Sequence, residues 1–205
     1  MNDFDKKASD WDKNPMHWDR SEAIATEIKM LIPLEKEMRA LEFGAGTGIC
    51  SFLLKDYLKE ITLMDNSREM IKMMDEKIRS SKANNLKTVN FNLETDEYKD
   101  GKFDLIFTQM VLHHIDDIDR IITIFHNLLN PKGFLAIADL YEEDGSFHGD
   151  GFTGHKGFNV DKLSDILRHN RFEDISHKRC FVIVRKISET ESKYFDVFIL
   201  TGRRD

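Results

Sequence analysis

Ala40-Leu41-Glu42-Phe43-Gly44-Ala45-Gly46-Thr47-Gly48-Ile49 decides the reading of this 205-residue chain. An apolar run that breaks into alternating glycines describes a strand, a tight turn and the start of a helix. Glycine tolerates backbone angles that side chains forbid, so such a turn can bring main chain close to a ligand. Working outward, a second apolar run, Ile61-Thr62-Leu63-Met64, ends in Asp65, 21 residues beyond Gly44. A carboxylate at the end of the second strand is placed to accept hydrogen bonds from two ribose hydroxyls. Together the two features describe a nucleotide pocket.

Two cofactors compete for it. A dinucleotide site follows Gly-x-Gly-x-x-Gly, its third glycine allowing close helix–strand packing and its helix N-terminus facing a pyrophosphate. Here the pattern is Gly44-x-Gly46-x-Gly48, and Ile49 occupies the place of that third glycine. Glu42, two residues before the first glycine, adds a negative charge that suits a cationic ligand and repels a pyrophosphate. S-adenosylmethionine carries an ammonium and a sulfonium and no phosphate. On these residues the chain resembles the class I S-adenosylmethionine-dependent methyltransferases, whose loop reads acid-x-Gly-x-Gly-x-Gly.

Composition sets the outer bounds. The chain is long enough for one domain with a full core, and 40% hydrophobic with 33% charged residues fits a soluble globular protein. No apolar run approaches the roughly 20 residues that span a bilayer. The start, Met1-Asn2-Asp3-Phe4-Asp5-Lys6, is too acidic for a secretory signal, so no membrane partner is expected and the cytoplasm is the expected location. Cys50 and Cys180 lie in apolar segments and read as reduced core residues. A net charge of −7 argues against nucleic acid, which is gripped by clustered Lys and Arg.

Apolar segments alternate between strand-like and helix-like periods, which implies helices packed on a mostly parallel sheet. Strands are expected at 39–43, 60–64, 87–91, 103–108 and 133–139. Ser67 suits an N-cap for a helix with Met70, Ile71, Met74 and Ile78 on one face. Asp116 or Asp117 suits the cap of the next, with Ile118, Ile121, Ile122, Phe125, Leu128 and Leu129 turned inward. Asn130-Pro131-Lys132-Gly133 stops that helix, and a further one begins near Asn159 with Val160, Leu163, Ile166 and Leu167. The last apolar runs, 181–184 and 195–200, are joined by a link too short for a parallel crossover, so they are expected to pair antiparallel. Near the start, Asn14-Pro15 is a good helix opening, followed by a stripe of Ile24, Ile28 and Leu31.

The resemblance covers nearly the whole chain. It implies a Rossmann-like α/β three-layer sandwich, with a seven-stranded, mostly parallel sheet closed by an antiparallel C-terminal hairpin strand. The implied organisation is a single methyltransferase domain over 1–205, with an N-terminal lid or helical segment at 1–33 and a substrate-side loop at 140–158. For residues 1–33, closing over the cofactor and merely covering a sheet edge stand as alternatives. Phe103 to Ile115 is similar to the fourth strand and following loop of the family's small-molecule subgroup. By position, the resemblance places Glu42, Gly44, Ala45 and Gly46 at the methionine-side floor and Asp65 at the ribose. It places Asn66 and Met70 near the adenosine, Asn92 and Leu93 at the adenine edge, and Thr108 and Gln109 at the methionine moiety. The family often has an acid where Asn92 stands, but an amide oxygen can still accept a hydrogen bond from the adenine amino group.

The implied reaction is in-line transfer of a methyl group from S-adenosylmethionine to a small-molecule acceptor. The protein's chief task would be to align the acceptor atom. Aromatic faces such as Trp11 or Trp18 would favour a sulfonium. A proton leaving the acceptor would need a base, for which His155 and then His113 are the candidates, with His17 behind them. Asp139, Glu142, Glu143, Asp144, His148 and Asp150 offer possible metal ligands, but they read as a solvated acidic loop and no metal is expected. Thr108-Gln109-Met110-Val111 lacks the Asn/Asp-Pro-Pro-aromatic turn of base-methylating enzymes, which again favours a small acceptor. Two other readings stay open: a non-catalytic module that binds S-adenosylmethionine or S-adenosylhomocysteine, and a nicotinamide-dependent oxidoreductase.

Overall fold

The computed structural model describes residues 10–186 and 191–205. Seven strands form one sheet: β1 (Arg39–Phe43), β2 (Glu60–Asp65), β3 (Leu86–Asn90), β4 (Phe103–Gln109), β5 (Leu129–Leu140), β6 (Phe172–Lys186) and β7 (Ser192–Arg204). Their order is β3-β2-β1-β4-β5-β7-β6. The first five run parallel and β7 enters antiparallel between β5 and β6, so the expected closing hairpin is present. Between β1 and its neighbours the chain reverses its direction of travel across the sheet. In open α/β sheets, ligands bind at such a point, beyond the carboxyl ends of the strands.

Five α-helices of the described residues cover the two faces. On one side lie α1 (Pro15–Leu31), α2 (Ile49–Leu54) and α3 (Arg68–Ser81), and their Ile24, Ile28, Cys50, Leu54 and Met74 share a core with Leu63, Leu105 and Phe107. On the other lie α4 (Ile118–Leu128) and α5 (Val160–His169), whose Ile121, Ile122, Phe125, Leu163 and Leu167 pack with Leu41, Ile106 and Ile137. No helix among the described residues is long and apolar enough to cross a membrane.

Local signals set the helix starts. Ser67 caps α3 by accepting from the Met70 amide, Asp117 caps α4 through Arg120, and Asn159 caps α5 through Lys162. Asn14 caps α1 by accepting from the Met16 amide, with Pro15 at its first position. The stripe on α1 needs one correction. Leu31 is exposed and the buried partner is Ile32, just past the helix end, because the last turn gives way to extended chain there.

Three other expectations shift. The segment Asn130-Pro131-Lys132-Gly133 does stop α4, but the strand already begins at Leu129. The extra residues form an irregular step against β4, where Phe103 faces Leu129 and Leu105 faces Phe134. Both C-terminal strands are much longer than their apolar runs. Cys180 is only partly buried on the edge strand β6, while Cys50 is fully enclosed.

Candidate functional site

The turn after β1 carries Gly44, Gly46 and Gly48 at φ +67°, +57° and +79°, a region that favours glycine. A Cβ on Gly44 would stand 2.4 Å from Val111, and one on Gly48 would stand 2.6 Å from Leu63. Those two positions are closed by packing. A Cβ on Gly46 would meet only the Trp11 indole nitrogen, at 4.0 Å, so Gly46 turns its backbone to open space. Ala45 is buried, with its amide donating to the Met64 carbonyl at 3.0 Å, which fastens the loop to β2.

Asp65, at the end of β2, bridges this loop and α3. Its carboxylate accepts from the Gly46 amide at 2.8 Å and from the Ser67 amide at 2.8 Å.

Glu42 is completely buried beneath the loop. It accepts from the Ser51 hydroxyl at 2.5 Å, from the Ser51 amide at 3.2 Å and from the Gln109 amide nitrogen at 3.3 Å. Gln109 in turn accepts from the Ser21 hydroxyl at 3.0 Å, so a polar chain links α1, β4, β1 and α2. Burial pushes the Glu42 carboxyl up to about 7 in spite of these donors, since three hydrogen bonds offset only part of the lost hydration. Cys50, beside Ser51 on α2, is also held well above the usual thiol range, first by burial and then by Glu42.

The other expected residues divide by exposure. Thr108 is 2% exposed and donates to the Phe43 carbonyl at 2.9 Å, so its hydroxyl braces β4 against β1 and does not face a ligand. Met70 and Leu93 are core side chains, buried away from solvent. Asn92 closes its own turn by accepting from the Glu94 amide at 3.0 Å, and Asn66 is exposed.

The N-terminal segment reaches the glycine loop. Asp12 accepts from the Thr47 hydroxyl at 2.5 Å and from Lys77 on α3 at 2.7 Å, while Lys77 also donates to the Thr47 carbonyl at 2.7 Å. These bonds hold Trp11 above Gly46, with the His17 ring stacked against it at 4.2 Å. His17 donates from Nδ1 to the Trp11 carbonyl at 2.8 Å, which suits a prop, and burial lowers its pKa. Trp18 points elsewhere, 40% exposed and bonded to the Asp12 carbonyl. Phe4, also read as part of this segment, lies outside the described residues.

Histidines gather at the ends of β4 and β5. His113 is buried in a 3-10 turn (Leu112–His114) and donates from Nδ1 to Asp139 at 2.6 Å. Asp139 is fully buried and also accepts from the amides of His113 and Leu140. This pairing sets the His113 tautomer and leaves Nε2 for chemistry. His114 and His148 complete a cluster in which one donor atom from each of the three rings lies within 4.8 Å of the others. His155 behaves differently. Its amide donates to the His113 carbonyl at 2.8 Å and its Nε2 donates to the Ile115 carbonyl at 3.0 Å, so it straps the loop at 140–158 onto the turn that carries His113.

Sequence reading missed Ser21, Ser51 and Arg20. Arg20 is 6% exposed on α1, with Asp139 the main charge favouring its cationic form; burial lowers its pKa to about 10. Its Nε has no hydrogen-bond partner among the described residues. Helical spacing held the signal, because Arg20 sits four residues before Ile24 on the inward stripe.

The donor set fits a cationic, phosphate-free adenosyl ligand. Carboxylates stand at the ends of β1 and β2, the open backbone face is at Gly46, an indole covers it, and Lys77 is already engaged by Asp12. An uncharacterized methyltransferase of Schizosaccharomyces pombe is 29% identical over 149 residues, covering 64% of this chain and 52% of that protein. The chain thus spans about half the length of that relative. Among solved structures, the YcgJ protein of Bacillus subtilis superposes with a TM-score of 0.72 at 14% identity, covering 89% of this chain and 98% of that one. A Haemonchus contortus phosphoethanolamine N-methyltransferase, solved with phosphomonomethylethanolamine and S-adenosylhomocysteine, gives 0.73 at 15% identity, over 91% of this chain and 52% of its own. At these identities the superpositions establish the fold. The profile of the methyltransferase-domain family matches residues 16–188, and with the glycine loop and sheet order in place the chain belongs to the class I S-adenosylmethionine-dependent methyltransferases.

Proposed function

We propose that this chain transfers the methyl group of S-adenosylmethionine to a small-molecule acceptor, working as one domain. The observation that carries the reading is the open face of Gly46, set between Asp65 and Trp11. When bound, S-adenosylmethionine supplies a methyl carbon already activated by the sulfonium. What remains for the protein is binding, alignment and proton handling. In this reading Asp65 takes the ribose hydroxyls while holding Gly46 and Ser67 in place. Gly44, Ala45 and Gly46 form the floor under the methionine end, Glu42 supplies negative charge beneath it, and Asn66 and Asn92 edge the adenosine. Gln109 acts through Glu42, and Met70, Leu93 and Thr108 position backbone.

Of the two histidines considered as bases, His113 is better placed to meet the acceptor, since Asp139 orients its ring; His155 holds the covering loop against it. A small acceptor is supported by that strapped-down loop and by a net charge of −7, which disfavours a polyanion. Labelled S-adenosylmethionine incubated with the protein and a metabolite extract tests the proposal. Label recovered in low-mass products is expected. Stoichiometric cofactor binding without transfer would make the chain a binding module, and label confined to macromolecules would overturn the acceptor class.

A further inference from the structure

The loop after β5 brings His148 to the His113–His114 turn, 35 residues earlier in the chain. The His113 ring centroid lies 4.2 Å from that of His114 and 4.9 Å from that of His148, and the His114 and His148 centroids are 5.4 Å apart. Behind His113 stands the buried carboxylate of Asp139, bonded to Nδ1 at 2.6 Å. An imidazole whose far nitrogen donates to a carboxylate is held in one tautomer and made a stronger ligand at the other nitrogen, the arrangement that supports metal-bound histidines. Around the rings is an aromatic wall: Phe152 stacks on His148 at 3.8 Å and meets His114 edge-on at 5.3 Å, while Phe147 lies 4.8 Å from His148.

We propose that His113, His114 and His148 bind a borderline divalent transition-metal ion, zinc foremost, with Asp139 as the supporting carboxylate. Neutral imidazoles suit such ions and suit magnesium or calcium poorly. Zinc–nitrogen bonds of about 2.0–2.1 Å put tetrahedral donors roughly 3.3 Å apart. The present spread of up to 4.8 Å therefore closes by about 1.5 Å on binding. Three protein ligands leave a fourth position open, as in sites where the metal takes part in chemistry and not only in folding.

This inference rests on His113 meeting the acceptor but replaces its role as base: with Nδ1 on Asp139 and Nε2 on the ion, His113 acts through the metal. The open position would take an oxygen or sulfur of the acceptor and lower its pKa, so that its proton is lost to water before methylation. The ligand set is distinct from the acidic residues of the same loop, which are hard donors with different metal preferences.

The test uses the full chain, stripped with a chelator and titrated with zinc chloride by calorimetry and with cobalt chloride by visible absorption. Expected are one ion per chain, cobalt bands typical of a tetrahedral nitrogen site, at least ~10-fold weaker binding in His148→Ala and His114→Ala, and ~10–100-fold weaker binding in Asp139→Asn. Thermal melts of the metal-free variants check that each is folded. Stoichiometric binding that both histidine variants retain overturns the proposal, as does the absence of stoichiometric binding in the wild-type chain. S-adenosylhomocysteine affinity, measured on the metal-free protein, tests the cofactor reading separately, so failure of one can be told from failure of the other.

Discussion

Replacing Glu42 with glutamine isolates the cost of a buried charge beneath the cofactor loop. Glu42 has no exposure to solvent, and burial raises its carboxyl from 4.5 to about 7. The folded protein therefore holds this proton more tightly than the unfolded chain does. The resulting stability is fully present below pH 4.5 and is lost as pH rises to about 7. At about 1.4 kcal/mol for each pH unit, the charged form costs the native state about 3 kcal/mol. Glutamine matches the shape, keeps an oxygen toward Ser51 and cannot ionise. Urea unfolding of both proteins at about pH 5 and about pH 8 should show wild type losing roughly 2–3 kcal/mol more than Glu42→Gln over that interval. Other carboxylates titrate equally in the two proteins and cancel in the comparison. Parallel pH profiles would refute the reasoning, because they would mean Glu42 carries its charge at no cost and its burial is not what shifts it.

Two further outcomes concern the cofactor. Asp65→Ala removes the acceptor for Gly46 and Ser67 as well as the proposed ribose contact, and should weaken cofactor binding by ~10-fold or more in calorimetry, a charge-assisted bond being worth roughly 1.5–3 kcal/mol. Unchanged affinity would displace the ribose from this site. Asp12→Ala cuts the tie between the N-terminal segment, Thr47 and Lys77, and should raise the cofactor dissociation rate ~5-fold in stopped flow while shifting global stability by less than ~1 kcal/mol. An unaltered rate would mean the segment covers the sheet without closing over the ligand.

Most of the sheet and the glycine turn after β1 was legible in the residues, for local reasons. Gly44, Gly46 and Gly48 mark a turn because their φ angles exclude side chains, and Asp65 marks a strand end because the apolar run stops there. Caps at Ser67, Asp117 and Asn159 could be read because each satisfies amides two or three residues ahead. β6 was half hidden. Glu173 to Arg179 is mostly polar, since an edge strand keeps its place by backbone pairing with β7 and need not bury a face. Leu31 misled because α1 ends there and the extended backbone that follows turns Ile32 into the core in its place.

The sequence by itself determined the fold class, the glycine loop with its two acids, and the antiparallel ending, because each is written in neighbours or in the period of one element. Tertiary structure alone decided which side chains meet: Gln109 with Glu42, Asp12 with Lys77, Asp139 with His113, and His148 with His113 and His114. Those pairs come from segments far apart in the chain and are joined only when the sheet lays strand ends side by side. No local pattern carries that distance. The histidine cluster is therefore a property of the assembled strand ends and the loop strapped over them.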